Sequence, residues 1–198
     1  MKTKICGITN LEDAKAAIKA GADALGFVFY EKSSRYIEPF KAREIVKELP
    51  PFVQVVGLFV NENSAFINQV CTNARMQLAQ IIDDDNYTDF NSLNYKYIEV
   101  VRAKSQQDIL EKLDRYVLVD AHVEEFGGSG KRVALEWFKG LDCSKIILAG
   151  GLTSDNLKEL KGFNFYGVDV SSGVELTKGK KDKTKMENFV KAVNEIQQ

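Results

Sequence analysis

A chain of 198 residues, 44% hydrophobic and 28% charged, is long enough to bury a sizeable core as one domain and too apolar to stay disordered. Its net charge of −1 leaves no electrostatic footprint for nucleic acid, and no apolar run approaches the length of a bilayer span. Three scattered cysteines, Cys6, Cys71 and Cys143, form neither a disulfide framework nor a zinc pattern, and the single histidine, His122, excludes a multi-histidine metal site. No signal-peptide apolar segment follows Met1, so a reducing cytoplasm is the expected compartment.

Strand-like and helix-like segments alternate along the chain. Strands are predicted at 3–6, 24–29, 53–59, 76–82, 97–102, 116–120, 145–149 and 166–171. Helices are predicted to begin near Asn10, Pro39, Ser64, Asp84, Ser105, Ala134 and Ser154, with a last one from Thr184 onward. Asn10 before Leu11-Glu12-Asp13 reads as an N-cap with acids in the first turn, and Gly21 as the left-handed residue that closes that helix. Pro39 suits a first helical turn. Ser154 with Asp155 and Asn156 repeats the capping pattern, and Gly162 ends it. In the polar stretch 83–96, Asp83, Asp84 and Asp85 read as a solvated helix N-terminus rather than a metal cluster.

Runs such as Phe27-Val28-Phe29 and Ile146-Ile147-Leu148 show little polar alternation, as in a parallel sheet covered by helices. Eight such units with right-handed crossovers make a closed barrel or a doubly wound open sheet. The Gly-x-Gly-x-x-Gly turn usual after the first strand of the open sheet is missing. The expected fold is therefore α/β, a single-domain (β/α)8 TIM barrel over residues 1–198, with short loops.

Chemistry in such a barrel collects at the C-terminal ends of the strands. Those ends carry Cys6, Ser33-Ser34-Arg35, Arg102, Asp120, the glycine-rich stretch 127–131 that includes Gly128, Ala149-Gly150-Gly151 and Ser171-Ser172-Gly173. Gly150 and Gly151 follow the seventh strand, and Ser171, Ser172 and Gly173 the eighth, the usual phosphate cradle of this architecture. Glycines admit close backbone approach to an anion and serines add donors, although each pair alone could be an ordinary tight turn. Arg35 offers a fork that matches a carboxylate; a lone surface arginine would simply be solvated. Residues 127–130 read as a lid over a substrate, or as a plain exposed loop.

Cys6 and Asp120 would put a thiol and a carboxyl on one rim, a pairing suited to moving protons on a small sugar-derived molecule. Period-2 alternation sets Lys4 on the face of Cys6, one layer deeper, where its ammonium would favour the thiolate. Asp169, on the strand that closes against the first, is expected to pair with Lys4, because an unpaired charge inside a barrel is costly. Cys71 reads as a passive core thiol, Cys143 as a turn residue, and His122 as a loop residue.

Taken in order, Lys4-Ile5-Cys6-Gly7-Ile8-Thr9, Gly26-Phe27-Val28-Phe29, Ser33-Ser34-Arg35-Tyr36, Val56-Gly57-Leu58-Phe59-Val60, Leu118-Val119-Asp120, Gly127-Gly128-Ser129-Gly130-Lys131, Leu148-Ala149-Gly150-Gly151-Leu152 and Val168-Asp169-Val170-Ser171-Ser172-Gly173-Val174-Glu175 resemble the phosphoribosylanthranilate isomerases of tryptophan biosynthesis. The resemblance spans essentially the whole chain. It implies a (β/α)8 barrel without metal or organic cofactor and an Amadori rearrangement of a phosphorylated aminoaldose. It further implies Asp120 as general acid, Cys6 as general base, Arg35 on the anthranilate carboxylate, and Gly128, Gly150, Gly151, Ser171, Ser172 and Gly173 as substrate-binding positions. The implied partner is the small phosphorylated substrate, with no nucleic acid and no membrane, on a monomer, a homodimer being the other possibility. Two departures stand out. Gln80-Ile81-Ile82-Asp83 has isoleucine where the family carries histidine, and Lys178-Gly179-Lys180-Lys181-Asp182 lacks the family's proline. The rival readings are another sugar-phosphate isomerase or epimerase on the same barrel, which would not need Cys6, Arg35 and Asp120 together, and a non-catalytic barrel that binds a phosphorylated ligand.

Overall fold

The structure, a computed structural model, describes residues 1–121 and 132–196. Its eight parallel strands are β1 (Lys2–Cys6), β2 (Ala24–Val28), β3 (Gln54–Val60), β4 (Leu78–Ile82), β5 (Lys96–Ala103), β6 (Val117–Ala121), β7 (Ile146–Leu148) and β8 (Gly167–Val170). They pair in chain order and close into a barrel through β1 and β8, where Lys4 sits opposite Asp169. The expected closed barrel is thus the observed one.

Alternation along each strand sorts side chains between two layers. Ile5, Phe27, Phe59, Ile81, Val119, Leu148 and Val168 face outward into the large core beneath the helices. Val100, Leu118, Ile147 and Ala149 form a smaller apolar cluster inside the barrel, joined by Ile82 and Ile98. Two steps on from Leu118, Asp120 therefore shares the inner face, as Cys6 does with Lys4.

The helices of the first half form as their signals indicate. In α1 (Leu11–Ala20) the Asn10 side chain accepts from the Asp13 N–H, and Gly21 closes the helix at φ 100°. Pro39 opens α2 (Pro39–Lys47), and the Asn63 side chain caps α3 (Ser64–Ala74). The second half departs from expectation. No α-helix begins near Asp84; the Asp83 carboxylate instead accepts from the Tyr87 and Thr88 N–H groups at 2.8 and 3.0 Å, leaving one 3-10 turn at Phe90–Ser92. Aspartates that capture nearby backbone donors compete with helix formation. The helix at Ser105 shrinks to α4 (Gln106–Leu110), and those expected from Ala134 and Ser154 to 3-10 turns at Leu135–Phe138 and Leu157–Leu160. Asn156 caps nothing there: its side chain bridges the Thr153 N–H and the Gly151 carbonyl, so it anchors the loop after β7. After β8 the chain makes a small hairpin, β9 (Glu175–Thr177) and β10 (Lys180–Lys181), before α5 (Lys183–Ile196) packs on α1. His122, Gly128 and the predicted lid at 127–130 lie outside the described residues.

Candidate active site

At the carboxyl end of β1, the Lys4 ammonium meets the Asp169 carboxylate at 2.9 Å, with both side chains more than nine-tenths buried. Burial by itself would depress the Lys4 ammonium, but Asp169 and a hydrogen bond to Cys6 together hold it above its ordinary value. The pair expected from alternation is therefore present, and it reaches the thiol. Room for this comes from β2: Gly26 stands opposite Cys6 in the ladder, and a Cβ there would lie 2.7 Å from the Cys6 Sγ and 3.0 Å from the Lys4 Nζ. The other two thiols sit in different surroundings. Burial pushes Cys71 up to about 12, and burial together with Asp142 pushes Cys143 up to about 11.

Arg35 lies in the loop after β2, as expected, but it is buried rather than solvated. Its Nε and Nη2 donate to the two Glu175 carboxylate oxygens at 2.7 and 2.8 Å. Its aliphatic stem crosses Gly7, whose φ of 80° belongs to the left-handed region, and a Cβ on Gly7 would come within 2.6 Å of the Arg35 Cδ. Glu175 also accepts from the Lys181 ammonium at 3.1 Å and the Gly179 N–H at 3.2 Å. Burial would raise the Glu175 carboxyl, yet Arg35 and Lys181 hold it below the usual carboxylate range. Sequence reasoning marks neither Glu175 nor Lys181 as a site residue, although both stand inside recognised motifs. Lys4, Arg35 and Lys181 all lie within electrostatic reach of the Cys6 sulfur.

Asp120, the penultimate residue of β6, sits under different conditions. Burial pushes its carboxyl up to about 6, assisted by the charge of Asp169 and opposed by the Ala121 N–H, which it accepts at 2.7 Å, and by Arg102. Arg102 itself is ion-paired with Asp84 across the ends of β4 and β5. Asp169 thus links the two ends of the site: it binds the lysine that contacts Cys6 and its field is felt at Asp120.

The loops after β7 and β8 lie against each other. Gly150 and Gly151 take φ values of 87° and 60°, and a Cβ on Gly173 would overlap the Leu152 carbonyl oxygen. Ser172 and Gly173 begin a single 3-10 turn. Ser171 points elsewhere than a phosphate cradle alone would require: its carbonyl and Oγ accept from Lys181 at 3.1 and 3.4 Å, and its Oγ borders Gly7. On β4, Ile82 occupies the family's histidine position as part of the inner apolar cluster, and Gln80, one layer deeper and buried, has no hydrogen-bond partner for its Oε1 among the described residues.

With a thiol, a raised carboxyl and a glycine-rich double loop on one barrel end, the likeness to known proteins is informative. The model of the N-(5′-phosphoribosyl)anthranilate (PRA) isomerase family matches residues 3–192. An N-(5′-phosphoribosyl)anthranilate isomerase from a Nitratiruptor species is 61% identical over 190 residues, covering 96% of this chain and 97% of that protein. Among solved structures, phosphoribosyl anthranilate isomerase from Thermus thermophilus superposes with a TM-score of 0.87 at 31% identity, covering 99% of this chain and 100% of that one. Another, a phosphoribosyl anthranilate isomerase in complex with reduced 1-(o-carboxyphenylamino)-1-deoxyribulose 5-phosphate, gives a TM-score of 0.82 at 34% identity, covering 98% of this chain and 99% of that one. The chain belongs to the N-(5′-phosphoribosyl)anthranilate isomerase family.

Proposed function

We propose that the chain catalyses the Amadori rearrangement of N-(5′-phosphoribosyl)anthranilate to 1-(2-carboxyphenylamino)-1-deoxyribulose 5-phosphate in tryptophan biosynthesis, with the whole barrel as one catalytic unit. The observation that carries this reading is the placing of two acid–base groups on one barrel end: a carboxyl raised to about 6 at Asp120, and the Cys6 thiol beside the buried Lys4 ammonium. Asp120 gives its proton to the furanose ring oxygen as the C1′–O bond breaks, leaving a Schiff base between C1′ and the anthranilate nitrogen. The Cys6 thiolate then takes the C2′ proton, and the C2′–H electron pair forms the C1′=C2′ bond of an enolamine. Return of that proton to C1′ and release of the C2′ hydroxyl proton to Asp120 give the ketone and restore both groups. A base and an acid of this kind each contribute about 10²- to 10⁴-fold.

Arg35 holds the anthranilate carboxylate, while Gly150, Gly151, Ser172 and Gly173 hold the phosphate, with Ser171 between the two. Gly128, on the glycine-rich stretch, is proposed to contact the substrate. Another sugar-phosphate isomerase would have no use for Arg35 and Cys6 together, and a non-catalytic barrel none for Cys6 and Asp120. The test follows turnover of N-(5′-phosphoribosyl)anthranilate by the change in anthranilate fluorescence. Wild type is expected to convert it, and Cys6→Ser to lose about 10³-fold or more in kcat while binding the reduced product analogue nearly as well. Normal turnover by Cys6→Ser would reject the base.

No helix among the described residues is long and apolar enough to cross a membrane, and the cytoplasm is the proposed compartment. The proposed form is a monomer. A homodimer is the second reading, because Phe52 is 98% exposed and lines a cavity of about 1210 Å³ at the amino ends of the strands, beside Tyr97, Tyr116 and Tyr166. Light scattering of wild type and Phe52→Glu distinguishes the two.

A further inference from the structure

The Arg35–Glu175 pair raises a chemical question. An arginine that must grip a substrate carboxylate is already bound, in bidentate fashion, by a carboxylate of its own chain. If Glu175 were mobile, it would compete with substrate for the guanidinium. It is fixed independently of Arg35, by the Lys181 ammonium and by the Gly179 N–H, and its side chain is 6% exposed. The Lys181 side chain is in turn fully buried and donates to the Ser171 carbonyl. The hairpin β9–β10 that carries this group is tied down at two further points. The Thr9 hydroxyl donates to the Gly179 carbonyl at 2.7 Å, and the Lys181 N–H donates to the Asp13 carboxylate at 2.8 Å.

A guanidinium has two donor edges. Glu175 occupies the one formed by Nε and Nη2, so the second edge, at Nη1, is the one left for another acceptor. The stem cannot swing away on the other side, because it lies across Gly7, the residue after Cys6.

We propose that Glu175 is a positioning residue: held by the β9–β10 hairpin, it fixes the Arg35 guanidinium so that its second edge receives the ring carboxylate of the substrate beside Cys6. The inference rests on the reading of Arg35 as the carboxylate-binding group. Glu175 touches no reacting atom. Its contribution is to remove the rotational freedom that a long side chain would otherwise lose when substrate binds, and to balance Lys181 next to the thiol. Removal of either function should be felt by carboxylate-bearing ligands and not by others.

The experiment uses the full-length enzyme, wild type and Glu175→Gln, and two ligands: the reduced product analogue, and the same molecule without its ring carboxyl. Wild type is expected to bind the complete analogue at least tenfold more tightly than the truncated one. In Glu175→Gln the complete analogue should weaken by about ten- to hundredfold, with a matching rise in KM and a smaller fall in kcat, while the truncated analogue binds within about twofold of wild type. Should Glu175→Gln fail to fold, Glu175→Asp, which keeps the charge and withdraws it by one methylene, gives the same readout. Equal weakening of both ligands would mean a general structural role and would overturn the proposal, as would undiminished discrimination in the variant. A wild type that does not discriminate the ligands at all would instead reject the Arg35 assignment beneath it.

Discussion

Around the ends of β1, β2 and β8, ions meet partners at hydrogen-bond distance: Lys4 meets Asp169, and Arg35 and Lys181 share Glu175. Near the end of β6, Asp120 is partly buried; among the described residues the Ala121 N–H is its hydrogen-bond donor, and Arg102 is ion-paired with Asp84. The paired side stabilises charge, and the sparse side penalises it. That difference suits a base that takes up a proton and an acid that keeps its own to a higher pH than an ordinary aspartate does. Within one mouth, ion pairs stand beside the thiol while desolvation raises the carboxyl.

The largest expected effect comes from breaking the paired side. Lys4→Met leaves Asp169 buried without its counter-ion, a change that typically costs about 3–5 kcal/mol of stability. It also takes the ammonium from Cys6, so kcat should fall by about 10²-fold or more in whatever fraction remains folded. Denaturant unfolding and single-turnover kinetics measure the two losses separately. Gly26→Ala tests the same corner by crowding. The added methyl must displace the Cys6 sulfur or the Lys4 ammonium. A displacement on the order of 1 Å at the base should cost about 10²-fold in kcat with little change in KM.

The sparse side makes a prediction with a definite sign. Asp120 has a folded-state value of about 6, above the value of about 3.9 for an unstructured aspartate. The folded protein therefore binds more protons than the unfolded chain between those two values, and stability falls as pH rises through that window. Asp120→Asn should accordingly stabilise the protein at pH 8, by at most about 3 kcal/mol, and leave it nearly unchanged at pH 3.5. Urea titrations at the two pH values check this. In wild type, kcat/KM should decline above about pH 6 as Asp120 loses its proton. The smallest effect belongs to Cys71→Ala, the apolar control: about 1 kcal/mol of stability and turnover within about twofold of wild type.

Much of this is legible in the sequence, and the omissions have physical reasons. The barrel follows from eight apolar runs, and the Lys4–Asp169 contact from alternation plus ring closure, because a period of two leaves each strand residue only two faces. Cys6 and Asp120 emerge from the same counting. The tertiary use of Glu175 does not, since its bond to Arg35 joins positions 140 residues apart and depends on a hairpin after the last barrel strand that shows no clear strand pattern. The signals at Ser105, Ala134 and Ser154 are genuine turn chemistry, yet they yield a five-residue helix and two single 3-10 turns, and at Asn156 the polar side chain serves the β7 loop instead of a helix. Asp83 and Asp84 mislead similarly: one holds its own loop and the other pairs with Arg102.

The division of labour between the two flanks is tested most directly by a double-mutant cycle. Single-turnover rates on N-(5′-phosphoribosyl)anthranilate would be compared for wild type, Cys6→Ser, Asp120→Asn and the double variant. Groups that serve successive steps on one substrate should each cost about 10³-fold alone, with the double variant close to the slower single one. Either single variant turning over within about threefold of wild type would contradict the account.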